Sequence, residues 1–488
     1  MYDKKKGGGR PHGRETPTDP MNQEKKILPE DLFYTSKNGF DLLSGEELEK
    51  AEAYCEGYKS FLDSSKTERL CSLRCIRLAQ EHGFVPYREG MDVNPGDKIY
   101  YDSRGKGLML AVMGKKPLSE GANLSVAHTD SPRYDIKPRP LYEEAEMAYL
   151  QTHPYGWAMG HQWVAMPLAL HGVVIRGDGT AVTVSIGEEE GEPQFIITDL
   201  LPHMGREHKK KPLGEAYPSH VMSVLVGSRP LEGLEEGRRF KGNILAALYE
   251  KYGIVEEDLI SAELEMVPVG KARDIGFDRS LIAAYGHDDR VCVYAELSAL
   301  FDLDVPEKTA VCMLVDKEEV NSDGVTGVKS LDFEYFMGCL CRAQGVDLYG
   351  CFAKSLCISA DVEAAYDPAY NEVFEEQNAA RINHGVAVIK FTGSTGDKSD
   401  ASDASAEVVG KVRRLLNQGG VLWQPAVMGK PEAGGGGTVA KFMANRNIDT
   451  IDAGVPVLSM HAPFETVSKI DCYMTYRAIS EVYRNYVD

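Results

Sequence analysis

Five apolar runs in this chain each stop at a residue that can ligate a metal or carry a proton. Leu124 to Ala127 stops at His128, Leu281 to Tyr285 at Gly286-His287-Asp288, and Val311 to Val315 at Asp316-Lys317-Glu318-Glu319. Ser355 to Ile358 stops before Asp361, and Val455 to Met460 stops at His461. Open α/β sheets bind ligands just beyond the carboxyl ends of their strands, so these residues are candidates for one site. Zinc accepts imidazole nitrogen and carboxylate oxygen. Two histidines and three carboxylates suit a pair of zinc ions held roughly 3.5–4 Å apart by a bridging carboxylate and water. One acid is then left over, and a free carboxylate beside an activated water is what a general base requires. Successive residues leaving a strand point different ways, so Glu318 and Glu319 need not share one job. Each residue taken singly has a plainer reading. A Glu-Glu pair is common on solvated helix faces, His128 with Asp130 is compatible with an ordinary polar loop, Asp288-Asp289 with a helix cap, and Asp361 with a turn.

The elements that must position these residues are visible in outline. Capping-box patterns at Ser44-x-x-Glu47 and Ser65-x-x-Glu68 open two helices, the second ending at Gly83. Residues 27–132 and 281–488 alternate strands and helices, which predicts an α/β fold with a mainly parallel sheet covered on both faces. Residues 133–280 read as a β-rich insertion, with strand-like runs Val173 to Ile175, Val182 to Ile186 and Phe195 to Ile197 and a hairpin signal at Gly177-Asp178-Gly179. His208 to Arg239 reads as a long charged loop before a helix at Asn243 to Tyr252. Arg290 opens a helical stretch, and Ile470, Met474, Ala478, Val482 and Tyr486 mark one face of a last helix. Residues 1–26, rich in Gly, Lys, Arg and Pro, read as disordered. The run Gly434 to Gly437 lacks a following Gly-Lys-Ser/Thr and reads as a tight turn before a helix opened by Thr438. Thr392 to Ser405 reads as a loop lining the site or as a plain surface loop.

At 488 residues the chain exceeds the usual size of a single core. A formal net charge of −20 disfavours nucleic acid and anionic membrane as partners. The ten cysteines form no paired Cys-x-x-Cys set. With no charged-then-apolar leader, they point to free thiols in a reducing cytoplasm.

The segments Ala127-His128-Thr129-Asp130-Ser131-Pro132, Asp316-Lys317-Glu318-Glu319-Val320, Ser359-Ala360-Asp361, Gly434-Gly435-Gly436-Gly437-Thr438 and Met460-His461-Ala462-Pro463-Phe464-Glu465, in this order, resemble the aspartyl aminopeptidase family. These are dinuclear zinc exopeptidases, and the likeness is greatest to a bacterial branch. The resemblance implies a zinc-exopeptidase-like sheet carrying two zinc ions per chain, with cobalt or manganese as substitutes. It makes Asp288 the bridge, His128 and Asp361 the other ligands of one ion, and Glu319 and His461 those of the second. It makes Glu318 the general base and has the Asp130 carboxylate hydrogen-bond the far nitrogen of His128. It also implies that the insertion is a dimerisation domain, that dimers assemble further, up to a dodecamer, and that His203 reaches a neighbouring subunit's site. Lys390 stands where a family lysine reads a substrate carboxylate, with a solvent-facing lysine as the other reading.

The implied activity is release of N-terminal residues, acidic ones in the name-giving members, from peptides. Trp163-Val164-Ala165-Met166-Pro167 replaces a charged family segment, Asp289 replaces a usual Asn, and Lys317 stands where His is frequent. Rival readings are a dinuclear dipeptidase or N-acyl amino acid deacylase, and a non-enzymatic metal-binding assembly protein.

Overall fold

The computed structural model describes residues 32–393 and 396–487, so the expected disorder of residues 1–26 lies outside the described residues. From Asn38 onward these residues build three sheets. The largest has nine strands in the order Val85–Pro86, Lys98–Ser103, Gly107–Val112, Thr309–Val315, Ala122–His128, Leu356–Ser359, Asp449–Gly454, Val386–Ile389 and Trp423–Ala426. Its four central strands, from Thr309–Val315 to Asp449–Gly454, run parallel.

Thr309–Val315 and Ala122–His128 are buried along their whole length, which is why they read as continuous apolar runs rather than alternating ones. Alternation still operates, because successive side chains leave a strand on opposite faces. Ala310, Cys312 and Leu314 join a core built with helices Gly45–Asp63, Glu68–Glu81, His287–Phe301 and Lys469–Asn485. Val311, Met313 and Val315 join a second core under helices Asp332–Ala343 and Leu348–Phe352.

The first helix is capped as expected, Ser44 Oγ accepting the Glu47 N–H at 3.2 Å. The second is capped by Thr67, whose Oγ1 accepts the Leu70 N–H at 3.3 Å, and not by Ser65. Ser65 is still bonded back to the Leu62 carbonyl at 3.0 Å, inside the turn that closes the preceding helix. In the last helix Ile470, Met474, Ala478 and Val482 are buried on one face, with Tyr486 buried just beyond its end.

The mainly parallel sheet is the central part of a mixed one, since its outer strands include antiparallel pairs. Two runs expected there belong elsewhere. Leu281–Ala284 and Pro456–Leu458 pair with Glu465–Ser468 in a third, largely antiparallel sheet that also takes in Arg273–Ile275. An apolar run reports burial, not partner.

Between the strand ending at His128 and the one starting at Leu281, the chain forms an antiparallel sheet of six strands. Their order is Ala181–Ile186, Leu168–Ile175, Ala262–Pro268, Arg133–Glu144, Met147–Tyr155 and Val224–Gly227. The Gly177-Asp178-Gly179 hairpin forms, with Ile175 opposite Ala181 and Gly179 at φ 83°. Phe195 to Ile197 makes only isolated bridges to Leu168 and Leu225 instead of a strand. The stretch read as a long loop contains the edge strand Val224–Gly227 and several short turns. The helix expected from Asn243 starts at Arg239, because the Glu143 carboxylate accepts the N–H groups of Phe240 and Lys241 at 2.8 and 2.9 Å. A cap supplied from another strand leaves no local mark in sequence.

Candidate metal centre

Three parallel neighbours deliver the first residues. Ala122–His128 ends in His128, Thr309–Val315 leads into the turn Glu318–Val320, and Leu356–Ser359 leads to Asp361. Asp288 and Asp289, joined by a cis peptide, hold non-helical conformations ahead of the helix that continues from Arg290. His461 lies after the third sheet's strand Pro456–Leu458, at φ 65°.

Asp288 stands between the two imidazoles. Its Oδ1 lies 3.0 Å from His128 Nε2 and its Oδ2 lies 3.1 Å from His461 Nε2. On the outer side of each imidazole is another carboxylate: Asp361 Oδ1 is 3.7 Å from His128 Nε2, and Glu319 Oε2 is 3.5 Å from His461 Nε2. Ligating atoms of His128, Asp288 and Glu319 come within 4.8 Å of one another, as do those of His128, Asp289 and Asp361. Asp289 has one oxygen committed, since Oδ2 accepts the His128 backbone N–H at 3.3 Å.

These groups fit a metal. Asp288 Oδ1 and Glu319 Oε1 are buried and make no hydrogen bond, and His128 Nε2 lies close to Asp288 Oδ1 without being aligned as a donor. Buried polar atoms left without a partner call for an explanation, and a cation held among them is one. Charge says the same. Burial pushes the carboxyls of Glu318 and Glu465 up to about 8, and raises those of Glu319, Asp361 and Asp289. Burial also acts on Asp288, but the flanking imidazoles outweigh it and keep that carboxyl low. Burial opposes a charge on His461, yet Glu319 and Asp288 lift it to about 10. His128 is raised by Asp130, Asp288 and Asp361 against the same opposition. Two imidazolium charges do not balance so many acids, and a divalent cation would supply the difference.

Asp130 faces His128 with both its backbone carbonyl and its carboxylate. His128 Nδ1 is 3.0 Å from the Asp130 backbone carbonyl and 3.4 Å from its Oδ1, so the carbonyl is the nearer acceptor that fixes the ring. A proton on Nδ1 leaves Nε2 as the donor atom of the neutral imidazole. The Asp130 carboxylate accepts the N–H groups of Glu318 and Glu319, both at 3.2 Å, and the Tyr155 hydroxyl at 2.8 Å.

Glu465, unassigned in the sequence reading although it closes the His461 motif, accepts the His461 N–H at 2.7 Å and the Asp288 N–H at 3.0 Å. Ser131 Oγ donates to the Asp288 carbonyl at 2.5 Å. His287, beside Asp288, turns into the core. Burial drives its pKa down to about 3, so the neutral ring bonds the Ile282 carbonyl at 3.2 Å and Tyr58 at 2.6 Å.

A cavity of about 780 Å³ opens over the cluster. Glu318, partly exposed, lines it beside the buried Glu319. Trp157 and Met159, just past the strand Met147–Tyr155, line it as well, as do Gly435 to Gly437 and Thr438. No Cβ fits at Gly435, which abuts the Gly393 carbonyl, and Thr438 Oγ1 donates to Asp452 at 2.8 Å.

His203, expected to act on a neighbouring subunit, and Lys390 both lie away from this cluster. His203 sits exposed in the turn Pro202–Met204 and does not line the cavity. Lys390 pairs with Asp403 at 2.6 Å and also lies outside the lining. The cavity lysines are Lys329 and Lys441, paired with Asp323 at 2.9 Å and Asp400 at 2.6 Å. Neither stands in a motif, so nothing in sequence marked them.

Residues 61–483 match the family profile described as aminopeptidase I zinc metalloprotease (M18). The "Probable M18 family aminopeptidase 1" of Borrelia garinii subsp. bavariensis is 43% identical over 456 residues, covering 92% of this chain and 99% of that one. A crystal structure of an M18-family aminopeptidase from Thermotoga maritima aligns with a TM-score of 0.89 at 40% identity, over 93% of this chain and 100% of that chain. A structure of the yeast mApe1 dodecamer, 20% identical over 89% of this chain and 96% of its own, shares the fold with a TM-score of 0.71.

Proposed function

Since the chain belongs to the M18 family of aminopeptidase I zinc metalloproteases, we propose that it removes N-terminal residues from peptides at a two-metal site centred on Asp288. The observation that carries this reading is the division of Asp288, one oxygen toward His128 and the other toward His461. His128 and Asp361 would hold one zinc ion and Glu319 and His461 the other, with cobalt or manganese able to substitute. Bound zinc supplies positive charge that polarises the scissile carbonyl and makes water a stronger acid.

Glu318 takes a proton from the attacking water as oxygen adds to the carbonyl carbon. It then delivers that proton to the departing amine nitrogen as the carbon–nitrogen bond breaks. Its partly exposed position on the cavity wall suits this work, while the buried Glu319 suits a ligand. The Asp130 carbonyl, by bonding Nδ1, keeps His128 Nε2 directed at the site.

The inserted sheet is the surface through which copies of the chain would pair, and the yeast dodecamer suggests further assembly. The exposed position of His203 suits a residue that acts on a partner's site. All ten cysteines are free and buried, in keeping with a reducing cytoplasm. No helix among the described residues is long and apolar enough to cross a membrane.

A preference for acidic first residues draws no support from the cavity, whose lysines already face Asp323 and Asp400. Neutral side chains fit better beside Met428, Met460 and Phe442. The deciding assay offers the zinc-loaded protein aminoacyl anilides, dipeptides and N-acyl amino acids. Release of the N-terminal residue is expected. Deacylation without such release would make it a deacylase, and inertness toward every class would leave a metal-binding assembly protein.

A further inference from the structure

Tyr155 ends one strand of the inserted sheet opposite Arg133, which begins the preceding, neighbouring strand. Both are buried, and the Arg133 guanidinium lies 3.9 Å from the centre of the Tyr155 ring. The same guanidinium reaches Asp135 at 2.8 Å, Glu68 at 3.2 Å and Glu265 at 3.4 Å. Glu68 belongs to the helix Glu68–Glu81 beside the main sheet, whereas Asp135 and Glu265 belong to the inserted one. The ring is therefore held by an ionic cluster that ties the helix Glu68–Glu81 to the inserted sheet.

At its other end the ring touches the site. The Tyr155 hydroxyl donates to Asp130 Oδ2 at 2.8 Å, and that oxygen also accepts the Glu319 N–H. Asp130 Oδ1 accepts the Glu318 N–H. The next residue, Gly156, takes φ 66°, and a Cβ there would stand 3.2 Å from the Glu319 Cβ. Inserted backbone thus packs directly on Glu319.

We propose that Tyr155 is a positioning residue, which holds the Asp130 carboxylate on the backbone of Glu318 and Glu319 and so makes the alignment of that pair depend on the inserted sheet. Without the hydroxyl, Asp130 Oδ2 loses its shortest donor. The carboxylate is then free to turn toward His128 Nδ1, 3.4 Å from Oδ1, at the expense of the two N–H bonds. Tyr155 does not line the cavity, so substrate binding should be spared.

The kinetic arm of the test rests on the aminopeptidase reading, and the metal arm does not. In zinc-loaded Tyr155→Phe, kcat on a leucyl anilide should fall ~10-fold with KM within twofold of the parent, and competition with a chelator should show zinc held ~10-fold less tightly, as for other residues that orient ligands from behind. A variant that melts earlier but keeps kcat and zinc affinity would overturn the inference, because the hydroxyl would then serve stability alone. If the parent protein cleaves nothing, the aminopeptidase reading has failed and the zinc competition decides by itself, unchanged affinity refuting the positioning role. Should Tyr155→Phe not fold, Arg133→Lys, which keeps the charge but not the plane over the ring, is read against the same outcomes.

Discussion

Glu465 accepts the backbone N–H of His461 at 2.7 Å, and its second oxygen accepts that of Asp288 at 3.0 Å. A single buried carboxylate thus fixes the separation between two proposed ligands that are 173 residues apart in the chain, 288 against 461. Glu465→Gln keeps the shape but turns an amide NH₂ toward one of those N–H groups. Metal affinity should fall ~10–100-fold with secondary structure retained, checked by zinc competition and circular dichroism. Affinity equal to the parent's would show that the clamp is dispensable.

Glu318 and the bridge Asp288 separate cleanly by what is lost. Glu318→Gln should keep the parent's metal content and lose turnover by ~10²–10⁴-fold. Asp288→Ala should lose metal from both halves of the centre, and elemental analysis is the check. Full activity in the first variant, or unchanged stoichiometry in the second, would contradict the assignments.

His287 gives a prediction about acid stability. It is buried as a neutral ring with its pKa at about 3, below the ordinary histidine value of 6.5. The unfolded chain therefore binds more protons below pH 6.5, and stability is lost as pH falls from there toward about 3. The stability advantage of the parent over His287→Phe should shrink by about 2 kcal/mol between pH 7 and pH 5. Parallel denaturation curves at the two pH values would show that the ring does not titrate this way.

The two cavity lysines give a prediction about specificity. With Lys329 and Lys441 each facing an acid, leucyl and methionyl anilides should be cleaved with higher kcat/KM than aspartyl and glutamyl ones. Asp400→Asn removes the partner of Lys441 and should improve the acidic substrates relative to the neutral ones. An unaltered ratio would remove Lys441 from the specificity account.

The strand-end histidines and acids stand out in sequence because a fully buried strand must leave its apolar run before it can present a polar ligand. The Ser44 cap is local and was equally visible. What sequence did not disclose are bonds between residues of different elements. The Glu143 cap on a distant helix, the Glu465 clamp and the Tyr155–Asp130 bond each join segments that only the fold brings together. Asp130 offers His128 two acceptors, of which only one is marked by residue type. Residue type pointed to its carboxylate, whereas the nearer acceptor is the carbonyl that every residue possesses. Sheet membership of Leu281–Ala284 was hidden for a different reason, since burial looks alike in either sheet.

The alternation along Thr309–Val315 carries one more consequence. Its odd and even residues furnish opposite sides of the molecule, and its far end carries the Glu318–Glu319 turn. Sliding this strand by one residue past Ala122–His128 would exchange what the two sides receive and rotate the acids by half a turn. A mispaired chain would therefore be both poorly packed and inactive, so selection for solubility and selection for turnover act here on the same alignment.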